Sequence, residues 1–478
     1  MVYDDLTMLQ APLPEDIRKL KGMGDYARLD RVLTLRLRDE NLPRALRTRL
    51  ELERAIIARI PAAYPYTLDE AAKLLSAEIE GFTRQELDAA IDENKVDWLF
   101  IDGEIRLHSL FLSTLIKTRP ELEPRVIHRE RLQYKKQNFA ILDEIIDEMK
   151  QNGGAARRWH VRHTLSIKPE YRRVGQEVLV HLPLPVEYDC VKHFTLLDAG
   201  PVPGHVADPL APQRTISFRK KLGENDVFFA EYSFEVHMPY HHLDPELAQG
   251  GLPAQGGLPA QCGLPAQGGL PAENGEDYLG EQPPHIAFTP LVRAVAAEIA
   301  GDEKNPLRLA RRVYDFLTTK PIYSYVRSYF TYPNLVEHML TAMKGDCGIF
   351  ALAFITLCRC LGIPARWQSG LYCAPHDVGC HDWAKFYCAP WGWLPVDASY
   401  GNAAWHAGDM DRWDFYFGHM EPFRLPAARC FQAQFDPPKR HLRSDPYDNQ
   451  NGEAEYADMG LLNAQLDEHC ELLDWEAL

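Results

Sequence analysis

The sequence lacks several features that would decide a function class at once. No apolar run in its 478 residues approaches the ~18–20 residues that a membrane span needs. Basic residues are scarce relative to acidic ones: 52 Lys and Arg against 68 Asp and Glu leave a formal net charge of -16. That balance favours solubility and argues against a nucleic-acid partner, which requires clustered cations along its phosphates. The start, MVYDDLTMLQAPLPEDIRKL, has no basic stretch followed by an apolar core, so no secretory signal is read there. Ten cysteines without such a signal point to free thiols in a reducing compartment; the expectation is a cytoplasmic protein with no membrane partner. The C-x2-C pairs of zinc ribbons are missing too. CAPHDVGCHDWAKFYC holds three Cys and two His, but six and seven residues separate its cysteines. No metal and no cofactor are therefore expected.

What is present divides the chain. Residues 1–150 read as helical, with LPRALRTRLELERAIIARI at helical spacing. Two capping boxes follow, Thr67 with Glu70 and Thr83 with Glu86. VDWLFIDGEIRLH then alternates around Asp102-Gly103, a hairpin signal. Helix, helix, hairpin is a winged-helix-like order. In an acidic chain it suits a packing or protein-docking module better than a DNA reader. Residues 157–247 are β-rich: WHVRHTLSI, EVLVHLPLP, QRTISFRKKL and DVFFAEYSFEVHM suggest a small β-sandwich. Residues 248–276 hold the hexamer GGLPAQ, repeated four times from Gly250 to Glu273 with Cys262 replacing one glycine. Its composition cannot build a core, so a flexible linker or loop is expected. Residues 277–435 resume with helix starts at Thr289-Pro290 and Asn305-Pro306. Residues 436–478 read as a polar, acidic tail, with RSDPYDNQNGEAEY as loop and LLNAQLDEHCELLDWEAL as a short amphipathic helix.

The run AMKGDCGIFALAFITLCRCLGIPAR singles out one cysteine. From Cys347 the stretch CGIFALAFITLCRC is apolar almost all round, which marks a buried helix. Gly362 and Pro364 end it. Cys347 then lies in the first turn, where unpaired N–H groups and the positive end of the helix dipole favour a thiolate and can hold an oxyanion. Cys358 and Cys360 fall at the wrong end. Cys373, Cys380 and Cys388 fall in loop or strand.

A cysteine nucleophile needs a base and an orienter for it. HDWAKFY and WGWLPVD read as adjacent strands. A three-residue turn at 388–390 would pair Lys385 with Trp393, Trp383 with Pro395 and His381 with Asp397. Direct cross-strand partners share a face. Pro395 implies an edge or a bulge.

GDCGIFALAFITLCRCLGIPARWQSG, HDWAKFY and GWLPVDASYG resemble the core motifs of the transglutaminase-like superfamily, over roughly residues 285–405. The resemblance implies an α+β fold with a papain-like catalytic core, here preceded by the β-sandwich and the winged-helix-like module. It implies Cys347 as nucleophile, His381 as general base and acid, and Asp397 as the orienter of His381. One departure is Lys385, where many members carry an acid. Tyr323, Tyr325 and Tyr329 are candidates for a second oxyanion donor, and Trp367 and Trp383 for walls of the cleft. The expected activity is thiol acyl transfer that cleaves an amide or peptide bond through a thioester. The alternatives are a protein-glutamine transamidase and a catalytically silent peptide-binding module.

Overall fold

A computed structural model describes residues 3–248, 278–375 and 377–478. The GGLPAQ repeat and Cys262 lie outside the described residues. The architecture is mixed α+β, and its contacts divide the chain into two units.

The first unit holds the residues up to Gln137, together with Ile322–Asn334 and Lys344–Asp346. Helices Leu68–Glu78 and Arg84–Asp92 each begin in a complete capping box, Thr67 with Glu70 and Thr83 with Glu86. Strands Trp98–Ile101 and Glu104–Leu107 form the hairpin. Its turn residues Asp102 and Gly103 both have positive φ, 48° and 99°. That is the conformation a two-residue turn of primed type demands, and an Asp-Gly pair tolerates it. Tyr66–Thr67 adds a third strand. Leu75, Leu87, Val96, Leu107, Phe111 and Leu115 are buried together beneath. A segment of the 277–435 stretch thus packs with the N-terminal residues, so that stretch is not one contiguous body.

The second unit contains two four-stranded antiparallel sheets and a third, mixed with helices. The strands needed below are β1 (Gly154–Ile167), β2 (Glu177–Pro183), β3 (Val191–Gly200), β4 (Thr215–Lys221) and β5 (Phe228–Pro239). After helices Pro290–Ala300 and Pro306–Thr319 come α1 (Cys347–Cys360), β6 (Ala365–Ala374), β7 (Asp377–Cys388) and β8 (Gly392–Val396). The chain continues through α2 (Ala398–Ala407), β9 (Arg424–Ala428), β10 (Glu453–Tyr456) and β11 (Leu466–Ala477).

The end of the chain departs from expectation. Residues 436–478 are no free tail, and their last stretch is no helix. β10 pairs with β2, and β11 pairs with β1 along nearly its whole length. The sheet orders are β11-β1-β5-β3 and β10-β2-β4 followed by the short strand His205–Val206. The reason is non-local. Without β11, one side of β1 would present a long row of unpaired backbone groups. Pairing satisfies them and lets Trp475 pack on the fully buried Trp159, ring centroids 6.0 Å apart. Phe218 and Phe228, 5.8 Å apart, bring the two sheets together.

The third sheet has the order β8-β7-β6-β9, all antiparallel. α1 is buried from Gly348 to Arg359, as its all-round apolar sequence requires. Among the described residues no helix is long and apolar enough to cross a membrane.

Candidate active site

Cys347 opens α1 and is the one residue of its first turn left partly exposed, followed by the buried Gly348, Ile349 and Phe350. Its sulfur therefore combines the positive end of a helix with access from outside. The sulfur contact runs to β7, from Sγ to Asp382 Oδ2 at 3.7 Å. Asp382 directly follows His381 in that strand.

His381 Nε2 lies 2.6 Å from Asp397 Oδ2, with His381 6% and Asp397 1% exposed. The register that achieves this differs from the expected one. Cys388 pairs with Gly392, Lys385 with Pro395 and Ala384 with Val396. The turn is 389–391 rather than 388–390, because Gly392 takes a φ of 82° that glycine accommodates without strain. Moving the turn by one residue moves every pairing by two, and an even shift keeps each side chain on its face. Asp397 consequently sits past the end of β8, as the N-cap of α2. Its Oδ1 accepts bonds from Tyr400 N at 2.9 Å and Ser399 Oγ at 2.8 Å, which frees Oδ2 to face the imidazole.

A cation stands behind this pair. Arg424 Nη1 donates to Asp397 Oδ2 at 3.0 Å, and its Nε donates to Glu421 Oε1 at 2.9 Å. Arg424 and Glu421 are completely buried. The guanidinium lies 4.9 Å from the ring centre of Tyr400 and 5.3 Å from those of Tyr372 and Trp383. β9 can approach closely enough because Gly370, paired with His381, has no side chain: a Cβ there would meet Leu425 O at 1.9 Å. Burial alone would raise the Asp397 carboxyl. The charges of His381 and Arg424, with the bonds from His381 and Tyr400, outweigh it and hold the group well below the usual carboxylate range. Glu421 goes the other way: burial outweighs Arg424 and pushes it up to about 7.

Residues 293–398 match the family model of the transglutaminase-like superfamily. This segment is a transglutaminase-like core. An uncharacterized protein of Haemophilus influenzae is 28% identical over 148 residues, 26% of this chain and 40% of that protein; the match spans less than half of the relative. A candidate cysteine protease from Cytophaga hutchinsonii has a similar structure at 15% identity and a TM-score of 0.39, covering 67% of this chain and 91% of its own. The periplasmic domain of TgpA from Pseudomonas aeruginosa follows at 17% identity and a TM-score of 0.27, covering 56% and 94%. TM-scores this low carry no assignment.

The other sequence-derived residues of the transglutaminase-like core fall in several places. Trp383 stacks against His381 at 6.1 Å and donates Nε1 to Gln368 Oε1 at 2.7 Å. Trp383 and Trp367 are both buried, 1% and 2% exposed, and Trp367 lies edge-on to Phe431 at 5.2 Å. Tyr323 and Tyr325 belong to the first unit, where they meet edge to face at 5.7 Å and Lys117 Nζ lies over both rings. Tyr329, in the same unit, donates its hydroxyl to Asp346 Oδ1 at 2.7 Å. Lys385 has a structural task. With Arg366 it pairs with Asp189, between β2 and β3, and ties the β-rich strands to the transglutaminase-like core; its own bond is 2.8 Å. Among the described residues no group of three or more His, Cys, Asp or Glu side chains is arranged to hold a metal.

Sequence reasoning missed Arg424, Glu421, Asp382 and Gln450. Arg424 and Glu421 left a signal: two opposite charges three apart in the otherwise apolar MEPFRLPAA. Gln450, whose Nε2 donates to Asp382 Oδ1 at 2.6 Å, left none, because it arrives from a distant loop.

Proposed function

We propose that the protein is a thiol acyl-transfer enzyme that cleaves an amide or peptide bond. Cys347 is the nucleophile, His381 the general base and acid, and Asp397 the group that orients His381. The thiol proton passes to His381 Nδ1 as sulfur attacks the amide carbonyl. The imidazolium then returns that proton to the departing amine, and water hydrolyses the thioester by the reverse transfer. Backbone N–H groups at the start of α1 stabilise the oxyanion.

The observation that carries this reading is the buried 2.6 Å contact between His381 Nε2 and Asp397 Oδ2. It engages one ring nitrogen with a carboxylate that the charges of His381 and Arg424 hold ionised, and in this reading the other nitrogen carries the proton transfer. A silent peptide-binding module would need no such buried ionic assembly, whose desolvation is costly. The substrate class we infer is a peptide or protein amide. A reducing, cytoplasmic setting would keep the Cys347 thiol available, and the N-terminal module would serve a protein partner.

The test offers a glutamine-containing peptide with and without a labelled amine. Ammonia or peptide release that depends on Cys347 and His381 supports hydrolysis. Amine incorporation that outpaces ammonia release would replace hydrolysis by transamidation, and no turnover with any peptide would favour the binding module.

A further inference from the structure

The Cys347 thiol lies within hydrogen-bond reach of the Asp382 carboxylate. Oδ2 lies 3.7 Å from the sulfur, while Oδ1 accepts a bond from Gln450 Nε2 at 2.6 Å. The carboxylate is 2% exposed and Gln450 7%. A dedicated loop delivers Gln450. Its neighbour Asn449 donates Nδ2 to Arg214 O at 2.7 Å and to Ala427 O at 3.0 Å, and Asn449 N donates to Ser369 Oγ at 3.3 Å. Ser369 pairs with Asp382 across β6 and β7. This apparatus fixes a carboxylate beside the sulfur.

The placement is costly for thiolate chemistry alone. Bonding to Asp382 and transfer to His381 are alternatives for the same proton, and a thiolate would face a like charge at 3.7 Å. The surroundings are already acidic: burial, then the charges of Asp445 and Asp382, push the Asp448 carboxyl up. Arg443, the nearby cation, bonds Glu453 Oε1 at 2.8 Å and Ala433 O at 2.9 Å. A positive group on the substrate resolves the conflict. Anything bonded to sulfur brings its own substituents within reach of Oδ2. An ammonium there offsets the carboxylate and releases the thiol proton to His381.

The geometry points to Asp382 as a specificity-determining residue that selects substrates with a primary ammonium beside the reacting carbonyl. The chemical class is that of a peptide N-terminus or a lysine-like side chain. This rests on Cys347 acting as the nucleophile of the proposed acyl transfer.

The test uses the full-length protein and three methanethiosulfonates: 2-aminoethyl (cationic), 2-sulfonatoethyl (anionic) and methyl (neutral). In each, the Cys347 sulfur displaces methanesulfinate and forms a mixed disulfide. Mass spectrometry reads the rate at Cys347, normalised to 2-mercaptoethanol. The cationic reagent should react at least about ten-fold faster than the anionic one, as expected for one unit charge a few ångströms away. Asp382→Asn should bring the ratio near one, and Asp382→Glu should keep it. A ratio near one in the wild type overturns the proposal whether or not the variants fold, and so does an unchanged ratio in a folded Asp382→Asn protein. His381→Ala separates the two readings. Lost reactivity there without charge preference removes the selectivity and leaves acyl transfer standing. Charge preference with no dependence on His381 removes the acyl-transfer reading, and the selectivity built on it.

Discussion

Replacing Arg424 by methionine isolates the charge behind the candidate site. Methionine is similar in length and stays among Tyr372, Trp383 and Tyr400, so packing is largely kept. Two carboxylates lose their cation: Asp397, bound at 3.0 Å, and Glu421, bound at 2.9 Å. Unit charges about 3 Å apart attract by about 5 kcal/mol at an effective dielectric of about 20. Desolvation of the ions offsets part of this, and removal of one partner from a buried pair costs about 3–5 kcal/mol. We expect a loss in that range, read by urea unfolding. It should depend on pH in a defined direction. Glu421 in the folded protein is raised to about 7, and loss of Arg424 raises it further. A raised carboxyl contributes stability that is present at low pH and lost as pH rises through its folded value. The variant should therefore lose about 1 kcal/mol more at pH 8 than at pH 5.5. A loss below about 1 kcal/mol at both pH values, or a larger loss at pH 5.5, would refute the reasoning.

Three further outcomes follow from the same structure. Glu421→Gln should flatten the dependence of stability on pH between about 5 and 8, removing a decline of about 3 kcal/mol that corresponds to the rise from 4.5 to about 7; an unchanged slope in urea titrations would contradict it. Lys385→Glu sets a like charge against Asp189 in a buried position and should cost more than about 3 kcal/mol, with Asp189→Lys restoring much of it in a double-mutant cycle. Removal of residues 463–478 should bare the edge of β1 and the Trp159 ring, lowering the thermal midpoint and producing aggregates by size exclusion; a monomer of unchanged midpoint would show that β11 is dispensable.

What could be read in the sequence was mostly local. Both capping boxes and the Asp102-Gly103 turn depend on residues within four positions, and the structure forms them. α1 was legible because nothing but full burial accounts for CGIFALAFITLCRC. The β7–β8 register was legible in its face and not in its count, since a turn displaced by one residue leaves the alternation intact. β11 was misread because LDEHCELLDWEA is acidic and mostly exposed on one side, and only the unpaired edge of β1 decides its conformation. The same holds at the site. His381 and Asp397 lie 16 residues apart and could be paired from strand logic. Gln450 lies 68 residues beyond Asp382 and joins it only through tertiary folding.

The alkylation of Cys347 by iodoacetamide at mildly acidic pH, mapped against the other cysteines, bears most directly on the reaction proposed for this site. The account predicts modification of Cys347 in preference to the other cysteines that is lost in His381→Ala and reduced in Asp397→Asn. Slow, uniform labelling of many thiols, or Cys347 labelling indifferent to His381, would contradict it.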